Sequence, residues 1–84
     1  MNKDTIFSLI KKHIIDILPS LSDNDIQATG KMADLGLNSI DRAEVLVAVM
    51  EELKIKIPLI SLGKMKNIND VVEVFFQAVD TNER

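Results

Sequence analysis

A chain of 84 residues with 46% hydrophobic side chains and no cysteine makes one domain, near the lower size at which an apolar core folds unaided, and excludes disulfides and thiolate metal sites. A formal net charge of −3 and the absence of Tyr and Trp argue against nucleic acid, which needs a basic surface and aromatic platforms. No apolar run approaches the roughly 20 residues of a membrane span and no signal-peptide pattern opens the chain, so the expectation is a cytoplasmic protein with no membrane partner.

The first element spans roughly residues 3–18, where Ile6, Phe7, Ile10, Ile14, Ile17 and Leu18 recur at helical spacing. Asn2 or Asp4 can cap it, and Pro19 stops it by disfavouring the helical conformation of the residue before. Residues 19–38 read as a long ordered loop with a short helical turn. Ser22-Asp23-Asn24-Asp25 is turn chemistry and Gly30 and Gly36 punctuate the rest, while Leu21, Ile26, Met32, Leu35 and Leu37 pin the loop to the core.

A second helix is expected from Ser39 to about Leu53, capped by Asn38, with Asp41 complementing its dipole. Ile40, Ala43, Val47 and Met50 form one stripe, widened by Val45, Leu46, Val49 and Leu53. A helix this broadly apolar is touched on more than one side, by the core and by a cargo or partner. Residues 54–57 alternate like a strand, but one isolated strand forms no sheet, so they are read as an extended connector into Pro58. Residues 59–66 hold one short helical turn. The last helix, about residues 69–79, turns Ile68, Val71, Val72, Phe75 and Val79 inward, and residues 81–84 fray. The fold class is all-α: a small bundle of three main helices plus one short helix, with a long ordered loop between the first two.

Charge divides along this map. Residues 34–52 hold Asp34, Asp41, Glu44, Glu51 and Glu52 against the single base Arg42, whereas residues 53–69 hold Lys54, Lys56, Lys64 and Lys66 and no acid. Adjacent poles of this kind steer docking and fix orientation.

The run Asp34-Leu35-Gly36-Leu37-Asn38-Ser39-Ile40-Asp41 carries the most specific chemistry. A glycine turn delivers a serine to a helix N-terminus, where unpaired N–H groups and the helix dipole suit a negative group such as a phosphodiester. Taken alone, Gly-x-Asn-Ser is an ordinary turn plus cap; chain length, mid-chain position and helix order give it weight. The other candidates are bland. His13 has no partner recognisable from spacing, Asp23 and Asp25 lack the rest of a calcium loop, and Met32, Met50 and Met65 are packing residues suited to a surface that accepts varied cargo. Glu51-Glu52 is a solvated helix end or a docking element.

The run resembles the attachment site of acyl carrier proteins, whose usual pattern is Asp-Leu-Gly, a variable residue, Asp or Asn, then Ser. The likeness covers nearly the whole chain, residues 1–84 as one acyl carrier domain: first helix, loop, motif, second helix, the Ile57-Pro58 pair and the Val-rich last helix fall in family order. The resemblance implies a non-catalytic carrier with no metal ligand, bearing a covalent 4′-phosphopantetheine on Ser39 that a phosphopantetheinyl transferase installs from coenzyme A, with acyl groups held as thioesters.

Four carrier classes share the motif: fatty-acid, polyketide, peptidyl and D-alanyl. This chain departs from the bacterial fatty-acid pattern at Asn38, at Arg42, and at residues 59–66, where Leu59-Ile60-Ser61-Leu62-Gly63-Lys64-Met65-Lys66 replaces an acidic segment. Residues 38–44 look instead like the discrete carriers of polyketide pathways that install β-branches, in which an acetyl donor serves an enzyme similar to hydroxymethylglutaryl (HMG) synthase. The partners implied are that synthase, or a ketosynthase or acyltransferase, meeting a monomeric carrier. Asp41, Arg42, Glu44, Met50, Leu59, Leu62, Lys64 and Met65 are expected to supply the contacts around Ser39. The alternative from another class is an unmodified helical adaptor that uses the Ser39 face for protein contacts alone.

Overall fold

Three asparagines start the three long helices. The computed structural model describes residues 2–82, with α1 at Lys3–Ile17, α2 at Ser39–Leu53, a single-turn α3 at Leu59–Leu62 and α4 at Ile68–Asn82. Asn2 Oδ1 accepts the Thr5 N–H at 2.8 Å, Asn38 Oδ1 accepts that of Asp41 at 2.8 Å, and Asn67 Oδ1 accepts that of Asp70 at 2.9 Å. Each side chain satisfies a donor that a helix start otherwise leaves unpaired. The all-α class and the caps at Asn2 and Asn38 agree with expectation. Helix α4 differs: it starts at Ile68 and continues through positions 81 and 82, which were expected to fray. Positions 83 and 84 lie outside the described residues.

Helix α1 packs against both α2 and α4. Its Ile6, Ile10 and Ile14, one helical step apart, are fully buried. They meet Val45, Leu46, Val49 and Met50 of α2 and Ile68, Val71, Val72, Phe75 and Val79 of α4 in one cluster. Each such side chain contributes on the order of 1.5–3 kcal/mol through burial. The Cα radius of gyration, 11.9 Å, is about that of a compact chain of this length. Among the described residues no polar or charged side chain is buried.

Helix α2 corrects one expectation. Of the stripe Ile40, Ala43, Val47 and Met50, only Met50 is core. Ile40 is 72% exposed and Val47 38%. The residues expected to widen that stripe, Val45, Leu46 and Val49, are the ones that face α1 and α4. Position against two neighbouring helices, and not periodicity, selects the inner face.

The loop between α1 and α2 holds two 3₁₀ turns, Asp23–Asp25 and Met32–Leu35, where one helical turn was expected. Ile26, Met32 and Leu37 are buried as anchors. The loop also gives its backbone to α4: the Ile68 N–H donates to the Gly30 carbonyl at 2.9 Å and the Asn69 N–H to that of Ala28 at 2.8 Å. Loop and helix start thus satisfy each other's polar groups. At the other end of α2, Lys54 adopts the left-handed region at φ 57°. Lys54 N–H donates to the Glu51 carbonyl and Ile55 N–H to that of Met50, the two bonds of a Schellman stop, with Ile55 and Met50 both buried against it.

Candidate functional site

The geometry at Ser39 is built one residue at a time. The second 3₁₀ turn ends in Gly36, whose φ of 101° is left-handed, a region that costs a residue with a Cβ about 1–2 kcal/mol. A Cβ there would meet nothing within 4 Å, so the demand for glycine is conformational and not spatial. Leu37, 3% exposed, anchors the chain after the turn. Asn38 is extended (φ −78°, ψ 178°) and caps α2 through Asp41. Ser39 is then the first helical residue, and its side chain is exposed.

Arg42 adds a clamp that spacing did not announce. Its Nη1 donates to the Leu37 carbonyl at 3.1 Å, tying the first turn of α2 back to the segment that delivers Ser39. Arg42 and Ser39 line the same hollow, about 390 Å³, walled by α2, α3, the second 3₁₀ turn and the start of α4. Its floor includes Met32, Leu46, Leu62 and Val71, and its lining includes Lys31, Arg42 and Lys66.

The expected contact residues fall into two groups. Asp41, Arg42, Glu44, Leu59, Lys64 and Met65 are exposed or half-buried, on or beside the α2–α3 face. Met50 and Leu62 are 7% and 4% exposed. Both belong to the core and offer a partner little surface. Met50 also lies eleven residues beyond Ser39, roughly 16 Å along the helix axis. The residues that do present apolar surface include two that sequence reasoning did not place in the contact set, Ile40 and Ile60, 72% and 79% exposed. Ile60 carries a signal in retrospect: a helix of one turn, Leu59–Leu62, cannot bury four consecutive side chains.

The remaining sequence candidates are structural. His13 Nε2 lies 2.9 Å from Glu52 Oε1, a partner 39 positions away that spacing did not reveal. Asp25 accepts from the backbone N–H of Ser22 at 2.8 Å, and Asp23 pairs with Lys11 at 3.0 Å. Both aspartates are thus turn and surface residues. No helix among the described residues is long and apolar enough to cross a membrane.

Residues 8–75 match the family model described as "Phosphopantetheine attachment site". The chain is 36% identical over 81 residues to "Polyketide biosynthesis acyl-carrier-protein AcpK" of Bacillus subtilis (strain 168), covering 96% of this chain and 99% of that protein. It is 33% identical over 76 residues to the acyl carrier protein of Phytoplasma mali (strain AT), covering 89% of each. Among solved structures, it superposes with a TM-score of 0.79 and 37% identity on a chain in the crystal structure of the curacin biosynthetic pathway HMG synthase in complex with acetyl donor-ACP, covering 89% of this chain and 96% of that one. The family's prosthetic group is 4′-phosphopantetheine, and an exposed serine hydroxyl at a capped helix start fits its attachment. The chain belongs to the acyl carrier proteins of the phosphopantetheine-attachment family, carriers of acyl groups and not catalysts.

Proposed function

We propose that Ser39 is the attachment serine and that the chain, residues 1–84 forming one carrier domain, is a monomeric cytoplasmic acetyl donor for β-branching in polyketide biosynthesis. The observation that carries the subtype is the 37% identity, over 89% of this chain, to a carrier held by an HMG synthase as acetyl donor. The likeness to AcpK supports the polyketide setting.

On this reading the chain's own part is to present one hydroxyl. Gly36, Leu37 and the Asn38 cap fix the position of Ser39, and the first-turn N–H groups of α2 favour the phosphate that its oxygen acquires. A phosphopantetheinyl transferase supplies the arm from coenzyme A. Once attached, the arm supplies a thiol that holds the acyl group as a thioester. The α2–α3 face then meets the synthase: Asp41, Arg42, Glu44 and Lys64 orient the encounter, and Leu59 and Met65 are apolar contacts beside Ser39, with Leu62 beneath them.

Two measurements test this. Coexpression with a phosphopantetheinyl transferase should add the phosphopantetheine mass to the wild type and leave Ser39→Ala unmodified but folded. Modification persisting in Ser39→Ala removes the assignment, and an unmodified wild type favours the adaptor reading. The acetylated protein should then react with an HMG-synthase-like enzyme faster than an acetylated fatty-acid carrier. Equal rates leave the carrier assignment and remove the donor one.

A further inference from the structure

Of the hollows along α2, two differ sharply in charge, and a third, at its C-terminal end, carries Glu51 with Lys54 and Lys56. The one that contains Ser39 is lined by Lys31, Arg42 and Lys66 with no carboxylate. The one along the outer side of α2 is lined by Glu44 and Glu51 with no base. In a chain of net charge −3, three cations gathered beside one exposed hydroxyl run against the average composition. Arg42 follows Ser39 by three positions, which sets the two side chains on adjoining turns of one face, with Cβ atoms about 5–6 Å apart. Its guanidinium is part-buried and held by the Leu37 carbonyl, and among the described residues it joins no ion pair. One N–H is engaged with that carbonyl, and the other donors of the planar fork remain to meet an anion.

We infer that Arg42 is the counter-charge of the phosphodiester borne by Ser39. The guanidinium, steadied by Leu37, binds a phosphate oxygen, Lys31 and Lys66 add to the field, and the arm is thereby laid toward the hollow between α2, α3 and the start of α4, away from Glu44 and Glu51. The inference rests on Ser39 being the attachment serine. A phosphodiester keeps one negative charge throughout the physiological range, and guanidinium–phosphate hydrogen bonds are charge-assisted and directional. The apolar floor formed by Met32, Leu46 and Leu62 matches the gem-dimethyl carbon that follows the phosphate in pantetheine. Because the hollow is open to solvent, the contact weakens as salt rises. Arg42 is therefore a positioning residue for the arm, separate from any contact it makes with a partner enzyme.

The test uses ¹⁵N-labelled protein converted by a phosphopantetheinyl transferase with coenzyme A, loading being verified by intact mass. Amide shifts are compared before and after conversion in the wild type and in Arg42→Gln, Arg42→Lys and Lys66→Gln, together with the ³¹P shift of the phosphodiester. In the wild type, changes should extend beyond Ser39 to Lys31, Leu62, Met65 and Lys66, and the ³¹P resonance should move with salt. Arg42→Gln should cut the changes at those four positions to about half or less, with Arg42→Lys between the two. Changes in Arg42→Gln equal to those of the wild type overturn the inference, as do wild-type changes that fall on Glu44 and Val47. If Arg42→Gln does not fold, Lys66→Gln and high salt on the wild type decide it: an undiminished response in the hollow overturns it equally. A wild type that gains no mass removes the attachment reading itself, which the mass readout distinguishes from loss of the Arg42 role alone.

Discussion

The side of the molecule built on α1 and the side built on Ser39 use charge in different ways. Around α1, Lys3 pairs with Glu73 at 2.7 Å, Lys11 with Asp23 at 3.0 Å and Lys12 with Glu52 at 3.9 Å. The Lys3 and Lys11 ammonium groups also lie over the rings of Phe76 and Phe7, at 5.3 Å and 4.5 Å. Around Ser39, by contrast, Asp41, Glu44 and Lys64 join no ion pair among the described residues, and Ile40 and Ile60 stand in solvent. Matched charges over a closed core serve the fold. Unmatched charges interleaved with exposed aliphatic side chains keep their field and their apolar area for another molecule. Stability and recognition thus occupy different sides of a domain only 84 residues long.

The largest expected effect lies in the core. Phe75→Ala removes a fully buried ring and should cost about 3–5 kcal/mol, enough to unfold much of the population of a small domain; urea denaturation monitored by circular dichroism measures it. Next in size is the cap at Ser39. Asn38→Ala should cost roughly 0.5–2 kcal/mol, since it leaves the Asp41 N–H without its 2.8 Å acceptor; an unchanged urea midpoint would remove the cap from the account of how Ser39 is held. The Lys3–Glu73 pair should contribute less. Both side chains are about half exposed, 48% and 43%, so a double-mutant cycle with alanines should return a coupling of about 0.2–1 kcal/mol that shrinks with salt. The smallest stability change belongs to the recognition side. Ile60→Ala, at a position 79% exposed, should shift stability by less than about 0.5 kcal/mol while slowing acetyl transfer to the synthase. A destabilised Ile60→Ala with normal transfer kinetics would reverse the assignment of the two sides.

Features set by neighbours along the chain were legible before the structure. The Asn38 cap needs only the residues that follow it, and the inner face of α4 follows from the spacing of Ile68, Val71, Val72, Phe75 and Val79, all buried. The Asn67 cap was equally local, with Asp70 three positions on as Asp41 follows Asn38, yet the helix start was expected near Asn69. Helix α2 was ambiguous for a physical reason: apolar residues surround much of it, and two overlapping stripes satisfy the same period. Only the positions of α1 and α4 decide that Val45 goes inward and Ile40 outward. The Arg42–Leu37 bond and the His13–Glu52 contact join atoms that no pattern rule pairs. The serine was legible as a candidate, whereas the charge of the hollow beside it depends on how residues 31, 42 and 66 converge in space.

The two hydrogen bonds from the start of α4 to the carbonyls of Ala28 and Gly30 bear on how the domain opens. They splice the chain leading into Ser39 to the helix that follows α3, so separating the two leaves the Ile68 and Asn69 amides and the Ala28 and Gly30 carbonyls without their partners. Amide-proton exchange at Ile68 and Asn69 therefore keeps time for the loop as well as for α4, and the end of the domain that carries Ser39 should breathe as a single cooperative unit, at a rate separate from that of the α1 core.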